Sequence, residues 1–351
     1  MPLIGHARLR DVLGESADRG RLPAALLLHG RPGVGKQRLA LDLARRLLCD
    51  GPTPPCGACQ SCRFAERLVH PDLHWVFPRP RLKDADASPA DVMRDLAEAI
   101  AERVADGLLY APPLGSDGIY VATVRALVRT ASMSPAIGRR KVVVVGDAER
   151  MVPQEGTEFA ANAFLKLLEE PPADTTIVLT SREPAALLPT IRSRVVAVRV
   201  PPLGDDAVRE FVRHPRVASW FERAGDRASE ADRITRAAGA PGVLLAGAPA
   251  ADATEAARAL LSATNHADWY RLALRQGSTG ARGAFADTLD AMIALLHARA
   301  RDAARNADER AARAAEHGMR AVEDAKGQAN GNVNPQLITA SLLRTLAEDR
   351  V

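Results

Sequence analysis

The sequence has few aromatic residues, few cysteines and no long apolar run, and each shortage narrows what the chain can do. Aromatics make up 4% of the residues, too few for a single-strand binder that works by stacking bases on Phe, Tyr and Trp. The longest apolar runs, such as Ala24 to Leu28 and Val142 to Val145, fall far short of the roughly 20 residues that a helical membrane span requires. The amino terminus, Met-Pro-Leu-Ile-Gly-His, has no basic region followed by an apolar core, so no secretory signal is read there and a cytoplasmic location is expected. Charge of either sign is not in strong excess. Lys plus Arg number 47 and Asp plus Glu 43, a formal net charge of +4, which permits a nucleic-acid or acidic-protein partner without requiring one. What remains is a chain of 351 residues, 47% hydrophobic and 26% charged, long enough for two or three globular domains with mostly aliphatic cores.

The four cysteines are confined to fourteen residues. Cys49, Cys56, Cys59 and Cys62 read C-x6-C-x2-C-x2-C, and a reducing compartment does not sustain disulfides among thiols so crowded. Four thiolates at short spacing suit tetrahedral zinc, with Pro54, Pro55 and Gly57 supplying the turns. Since every ligand is a thiolate, no position is left for water, and the zinc expected here is structural. Four unliganded thiols are the plain alternative; a redox Cys-x-x-Cys pair is another, but it leaves Cys49 and the overlapping third cysteine unexplained.

Residues 1 to about 200 alternate short aliphatic runs with helical patterns, which predicts a parallel sheet covered by helices on both faces. Strands are expected at Ala24 to His29, Lys141 to Val145, Thr176 to Leu179 and Val195 to Val200, and a helix at Gln37 to Leu48, whose leucines recur at helical spacing. Ser88-Pro89-Ala90-Asp91 is a helix start, with the helix running to about Leu109. Because its flanks are rich in Pro, Gly and charge, the stretch 78–118 is read as a surface insertion. Pro201-Pro202-Leu203-Gly204 closes the α/β part. The domain division expected is 1–202, then a small helical unit over 203–250, then an all-helical unit over 251–351. Ala286 to Ala325 reads as one long amphipathic helix or two shorter ones, with Gly318 a possible dividing point and Lys326-Gly327 its end.

Gly30-Arg31-Pro32-Gly33-Val34-Gly35-Lys36-Gln37 fits the phosphate loop G-x4-G-K, in which glycines let backbone N–H groups face phosphate oxygens and the lysine reaches the terminal phosphates. The motif stops one residue short, because position 37 should carry the Ser or Thr hydroxyl that ligates magnesium. Asp147, at the end of the Lys141 strand, suits the magnesium carboxylate. The next residue, where a water-polarising glutamate belongs, is Ala148, and Glu149 is displaced by one position. Taken alone, Asp147 is equally an acidic cap at a strand end. ATP binding at this loop is therefore doubtful.

Asn162-Ala163-Phe164-Leu165-Lys166-Leu167-Leu168-Glu169-Glu170-Pro171-Pro172, then Leu179-Thr180-Ser181-Arg182-Glu183-Pro184 and Ile191-Arg192-Ser193-Arg194, resembles the clamp-loader branch of the AAA+ ATPases. Within it the sequence is similar to the delta-prime family of bacterial DNA polymerase III subunits, in order along essentially the whole chain, including His70-Pro71-Asp72 and Gly239-Ala240-Pro241-Gly242. The resemblance implies an AAA+ domain with a zinc-bearing insertion, a helical lid domain and a helical collar domain. It implies that Arg194, beside Ser193 and followed by Val195 where the family has cysteine, is an arginine finger offered to ATP held by a neighbouring subunit. It implies gamma or tau ATPase subunits and the delta subunit as partners, and through them the sliding clamp and primer-template DNA. Where hydrolysing relatives carry an arginine in the second domain, this chain has Gly242. Gln37, Ala148 and Gly242 together describe a loop without its hydrolytic apparatus, so the function expected is that of a non-hydrolysing, stator-like subunit of the loader. A second reading is an active ATPase working through Lys36 and Asp147; a third is a zinc-bearing nucleic-acid module unrelated to clamp loading. For Arg194 the plain alternative is a surface ion pair.

Overall fold

The computed structural model describes residues 3–82, 87–107, 117–151, 159–245, 248–276, 282–330 and 333–348. The chain divides into two compact units, one made of Met1–Glu230 with Gly239–Gly242 and the other of Ala231–Ala238 with Val243–Val351. Among the described residues no helix is long and apolar enough to cross a membrane.

The first unit is built on five parallel strands: β1 (Ala25–His29), β2 (Leu73–Val76), β3 (Lys141–Val145), β4 (Thr175–Ser181) and β5 (Val196–Arg199), in the order β2-β3-β4-β1-β5. β1, β3 and β4 are unbroken apolar or threonine runs because helices cover both faces of the sheet, and Leu26 to Leu28, Val142 to Val145 and Ile177 to Leu179 are all buried. The pairings Val76↔Val145, Val145↔Leu179 and His29↔Ser181 align the strand ends, so Gly30, Gly146 and Arg182 leave the sheet at one edge. Helix α1 (Ala7–Asp18) precedes β1, and α2 (Lys36–Leu47) follows the phosphate loop and buries Leu39, Ala40, Leu43 and Ala44. The short α3 (Gln60–Glu66) carries two of the cysteine cluster's neighbours, Ser61 and Ala65, into the interior.

Helix α4 (Pro89–Asp106) starts as its sequence predicts, with the Ser88 hydroxyl accepting the Asp91 N–H at 3.2 Å and Pro89 in the first turn. Of the stretch 78–118, expected to be a surface insertion, residues 83–86 and 108–116 lie outside the described residues, and α4 is not confined to the surface. Val92 and Leu96 are buried in the same core as Val124 and Leu127 of α5 (Val121–Ala131), and Arg79 binds Asp95 of α4 through two bonds of 3.0 and 2.9 Å. The apolar stripe of α4 was masked by its charged flanks, yet an amphipathic helix beside a sheet stabilises the fold only by burying that stripe.

Before β2, Asp72 is 1% exposed and its carboxylate accepts the backbone N–H groups of Ala136, Ile137 and Gly138 at 2.5, 3.1 and 3.0 Å. The Lys141 ammonium, also buried, donates to the carbonyls of Thr130, Ala131 and Met133 and so closes the end of α5. Burial alone would raise the Asp72 carboxyl, but the three N–H donors and nearby His70 outweigh it and hold the group below the ordinary carboxylate range. A carboxyl depressed in the folded state contributes stability above its unfolded value of about 3.9, and loses it as pH falls through the lower folded value. Asp72→Asn is expected to cost about 2 to 4 kcal/mol at neutral pH. In urea unfolding, its deficit against the wild type should shrink once the pH falls below the ordinary carboxylate range.

Helices α6 (Phe159–Glu169) and α7 (Pro189–Arg192) flank β4, and α8 (Asp205–Arg213) and α9 (Pro215–Arg223) end the continuous part of the first unit. After α10 (Glu230–Ala237) the second unit consists, in its described residues, of helices: α11 (Ala248–Ser262), α12 (His266–Leu274), α13 (Arg282–Arg305), α14 (Glu309–Asn330) and α15 (Pro335–Glu348). Its core joins Leu260, Leu289, Met292, Leu296, Val322, Ile338 and Leu342. The long Ala- and Arg-rich stretch is two helices, but Gly318 does not divide them. The break is at 306–308, where Ala307 takes φ 54° and the Asp308 carboxylate accepts the Ala311 N–H at 3.0 Å as the cap of α14. Gly318 lies inside α14, where an added Cβ would stand 3.1 Å from a Leu296 methyl and 3.4 Å from one of Leu346. Close packing, not a turn, accounts for that glycine.

Candidate functional site

The phosphate loop leaves β1 at the sheet edge as the strand-loop-helix pattern predicts. Gly30 is where backbone meets backbone: a Cβ there would lie 2.4 Å from the Val200 carbonyl oxygen. Gly33 and Gly35 take φ of 74° and 99°, conformations that turn the loop into α2. Lys36 is buried, and its ammonium donates to the carbonyls of Gly30 and Arg31 at 2.8 and 2.9 Å, within the loop itself. His6, ahead of α1, approaches the Val34 carbonyl at 2.8 Å through Nε2.

The corner that would hold magnesium is filled by protein. Gln37 donates from Nε2 to the Asp147 carboxylate at 2.9 Å and accepts at Oε1 from the Trp75 indole N–H at 3.0 Å. The two positions that share a metal in a hydrolysing loop are thus bonded to each other, and the amide is fixed from its other end by β2. Asp147 in turn takes φ 46°, and its backbone N–H is accepted by the Thr180 hydroxyl at 3.0 Å. Magnesium requires nearly octahedral oxygen ligands at short range, and a glutamine amide presenting its N–H₂ to the carboxylate does not fit that requirement. Arg103 of α4 adds a cation beside the corner, its guanidinium carbon 3.6 Å from the Phe77 ring centroid and 5.2 Å from that of Trp75. Burial lowers its pKa to about 10, with Asp147 opposing the shift, so it stays charged at neutral pH.

Ala148 brings no proton acceptor. The Glu149 carboxylate is instead engaged by Arg182, whose backbone N–H donates to it at 3.3 Å and whose Nε lies at 3.5 Å. Burial, reinforced by the charge of Asp147, raises the Glu149 carboxyl above its ordinary value. Gly242 packs on the phosphate loop: its N–H donates to the Gly33 carbonyl at 2.9 Å, and a Cβ would lie 2.8 Å from Gly33 Cα. No arginine side chain could start from that backbone without moving the loop.

The ligand atoms of Cys49, Cys56, Cys59 and Cys62 all lie within 4.8 Å of one another, close enough to surround a tetrahedral ion, whose metal–sulfur bonds of about 2.3 Å set sulfur–sulfur edges of roughly 3.8 Å. Backbone N–H groups of Gly51, Cys56, Cys59 and Cys62 point at the sulfurs at 3.3, 3.3, 3.4 and 3.3 Å. The N–H groups of Cys59 and Ala58 lower the Cys56 thiol to about 6, whereas burial pushes Cys62 up to about 12. Four sulfurs so close cannot all ionise unless a cation sits among them, and the N–H donors are arranged for thiolates. The residues therefore fit a structural Zn²⁺.

Arg194 follows α7 on the approach to β5. Its Nη2 donates to Glu169 Oε1 at 2.6 Å and its Nη1 to the Thr190 carbonyl at 2.9 Å and the Ser193 hydroxyl at 3.2 Å. The phosphate loop, Asp147 and Gly242 are thus brought together, while Arg194 is held by Glu169 and its own turn. Sequence reasoning missed Trp75, Arg103 and Glu169 in these roles. The spacing of Trp75 and Phe77 on alternate positions was the one available clue to the first two.

A family model described as "DNA polymerase III, delta subunit" matches residues 5–204, more than half of the chain. The DNA polymerase III subunit delta' of Bacillus subtilis is 30% identical over 65% of this chain and 59% of its own, and that of Escherichia coli is 31% identical over 67% and 58%. The subunit tau of Salmonella typhimurium is 28% identical over 64% of this chain and 30% of its own. The matches span less than two thirds of the length of these curated relatives. The parallel sheet with its phosphate loop, the four-cysteine module after α2 and the helical second unit agree with the fold that the motifs imply. The chain belongs to the DNA polymerase III delta-subunit family, on its delta-prime branch.

Proposed function

We propose that the chain is the non-hydrolysing, stator-like subunit of a replicative sliding-clamp loader, acting in the cytoplasm. The observation that carries this is the Gln37 amide, bonded to Asp147 and Trp75 where a hydrolysing subunit places magnesium. Gly242 against Gly33 supports it by leaving no room for a second-domain arginine at the loop. On this reading residues 1–202 are the AAA+ domain, 203–250 the lid and 251–351 the collar. The partners are the gamma or tau ATPase subunits and the delta subunit, and the assembly acts on the sliding clamp and primer-template DNA. Arg194, positioned by Ser193, serves ATP bound to the neighbour, and Zn²⁺ at Cys49, Cys56, Cys59 and Cys62 braces the first domain.

Lys36→Ala, tested in the loader reconstituted with its ATPase subunits, is expected to leave DNA- and clamp-stimulated ATP turnover unchanged. A Lys36→Ala loader that loses turnover would instead establish an active ATPase working through Lys36 and Asp147.

A further inference from the structure

Arg194 is committed within its own chain. A guanidinium has five N–H donors in a fixed plane, and here Nη2 is given to Glu169, and Nη1 to Thr190 and Ser193. Glu169 is the last residue of α6, where the unsatisfied carbonyls of the helix make the potential negative and a carboxylate unfavourable. The Arg194 cation relieves that placement. The pair is partly exposed, at 33% for the arginine side chain and 47% for the glutamate, so it can open at small cost. A polyphosphate offers the same fork geometry with greater charge.

We propose that Glu169 is an internal competitor for Arg194, holding the finger on its own subunit until a polyphosphate displaces it. The inference rests on the reading that Arg194 acts in trans. Partner exchange follows from charge: while the guanidinium is neutralised by Glu169 it contributes little to a phosphate. Once it swings away, the carboxylate left at the end of α6 repels the incoming anion and favours return. Glu169 is thus a positioning residue that sets how much nucleotide is needed to recruit the finger, and it touches no substrate.

The test is steady-state ATP turnover by the reconstituted loader carrying Glu169→Gln, Arg194→Ala or both, across ATP concentrations and at two ionic strengths. Glu169→Gln keeps the shape and a hydrogen-bond acceptor but removes the charge. It is expected to lower the ATP concentration for half-maximal turnover by about two- to fivefold, the range of an exposed ion pair. The saturating rate should stay nearly unchanged, the gap should narrow as salt screens the pair, and the double variant should match Arg194→Ala. An unchanged half-saturation, a fall in turnover, or the same gain in the Arg194→Ala background would overturn the proposal. If Arg194→Ala turns over ATP like the wild type, the proposal falls with the finger reading. Nitrogen relaxation of the Arg194 guanidinium in the free chain then separates the two failures. Faster motion in Glu169→Gln means that the clamp exists and the finger reading failed; equal motion means that no clamp exists.

Discussion

On the proposed reading, Arg194→Ala is expected to lower ATP hydrolysis at a neighbouring subunit's site by about 10³- to 10⁵-fold, the range over which arginine fingers act. The argument is electrostatic. Charge developing on the phosphoryl group as it passes to water needs a preorganised cation in a site shielded from bulk solvent, and alanine leaves it uncompensated. Arg194→Lys should recover only part of the loss, because a point charge cannot replace a planar fork. Stability should hardly change: the guanidinium is partly exposed and its partner Glu169 more so, and pairs of this kind contribute about 1 kcal/mol or less. Single-turnover hydrolysis by the assembled loader, beside thermal unfolding of the free variant, separates the two quantities. Unaltered hydrolysis would reduce Arg194 to the surface ion pair that its contact with Glu169 resembles.

Removing zinc should have the second large effect. Structural zinc contributes roughly 10 to 16 kcal/mol to the folding of isolated zinc-finger peptides. Here the segment around Cys49 to Cys62 that would hold it is anchored on one side by α2 and on the other by α3. Cys62→Ser is expected to abolish stoichiometric zinc and to expose this segment to proteolysis while the sheet persists. Zinc affinity must fall as pH falls, since protons compete for the sulfurs, and most steeply at Cys62, whose buried thiol holds its proton up to about 12. Metal content by elemental analysis and chelator-induced release across pH check both points. A chain purified without metal, equally resistant to protease, would leave four ordinary thiols.

The parts of the first unit most legible in the sequence were those whose chemistry is local. β1, β3 and β4 are apolar runs, the phosphate loop is a contiguous motif, and the four cysteines are near neighbours in the chain. β2 was not expected, because Leu73-His74-Trp75-Val76 has neither alternation nor a β-branched run; pairing with β3 makes it a strand. The burial of α4 was hidden because the charged flanks dominate its composition. In the second unit Gly318 drew attention as a helix breaker, whereas the chain breaks at Asn306-Ala307-Asp308, whose Asp is a cap signal that went unread. At the candidate site, the sequence revealed that Gln37 departs from the motif but not what the side chain does. Its two partners are 110 and 38 positions away, distances over which spacing carries no information.

That closed corner also bears on how the chain reaches its native state. The Gln37–Asp147 bond joins the first turn of α2, which follows β1 through the phosphate loop, to the exit of β3, and β1 and β3 are not neighbours because β4 lies between them. It can form only after most of the parallel sheet has assembled, and such non-local pairing is slow because the intervening chain must first be ordered. The Gln37 amide is therefore a reporter of late assembly: its side-chain N–H₂ should gain protection from hydrogen exchange with the last folding phase, after the β1–β4 amides.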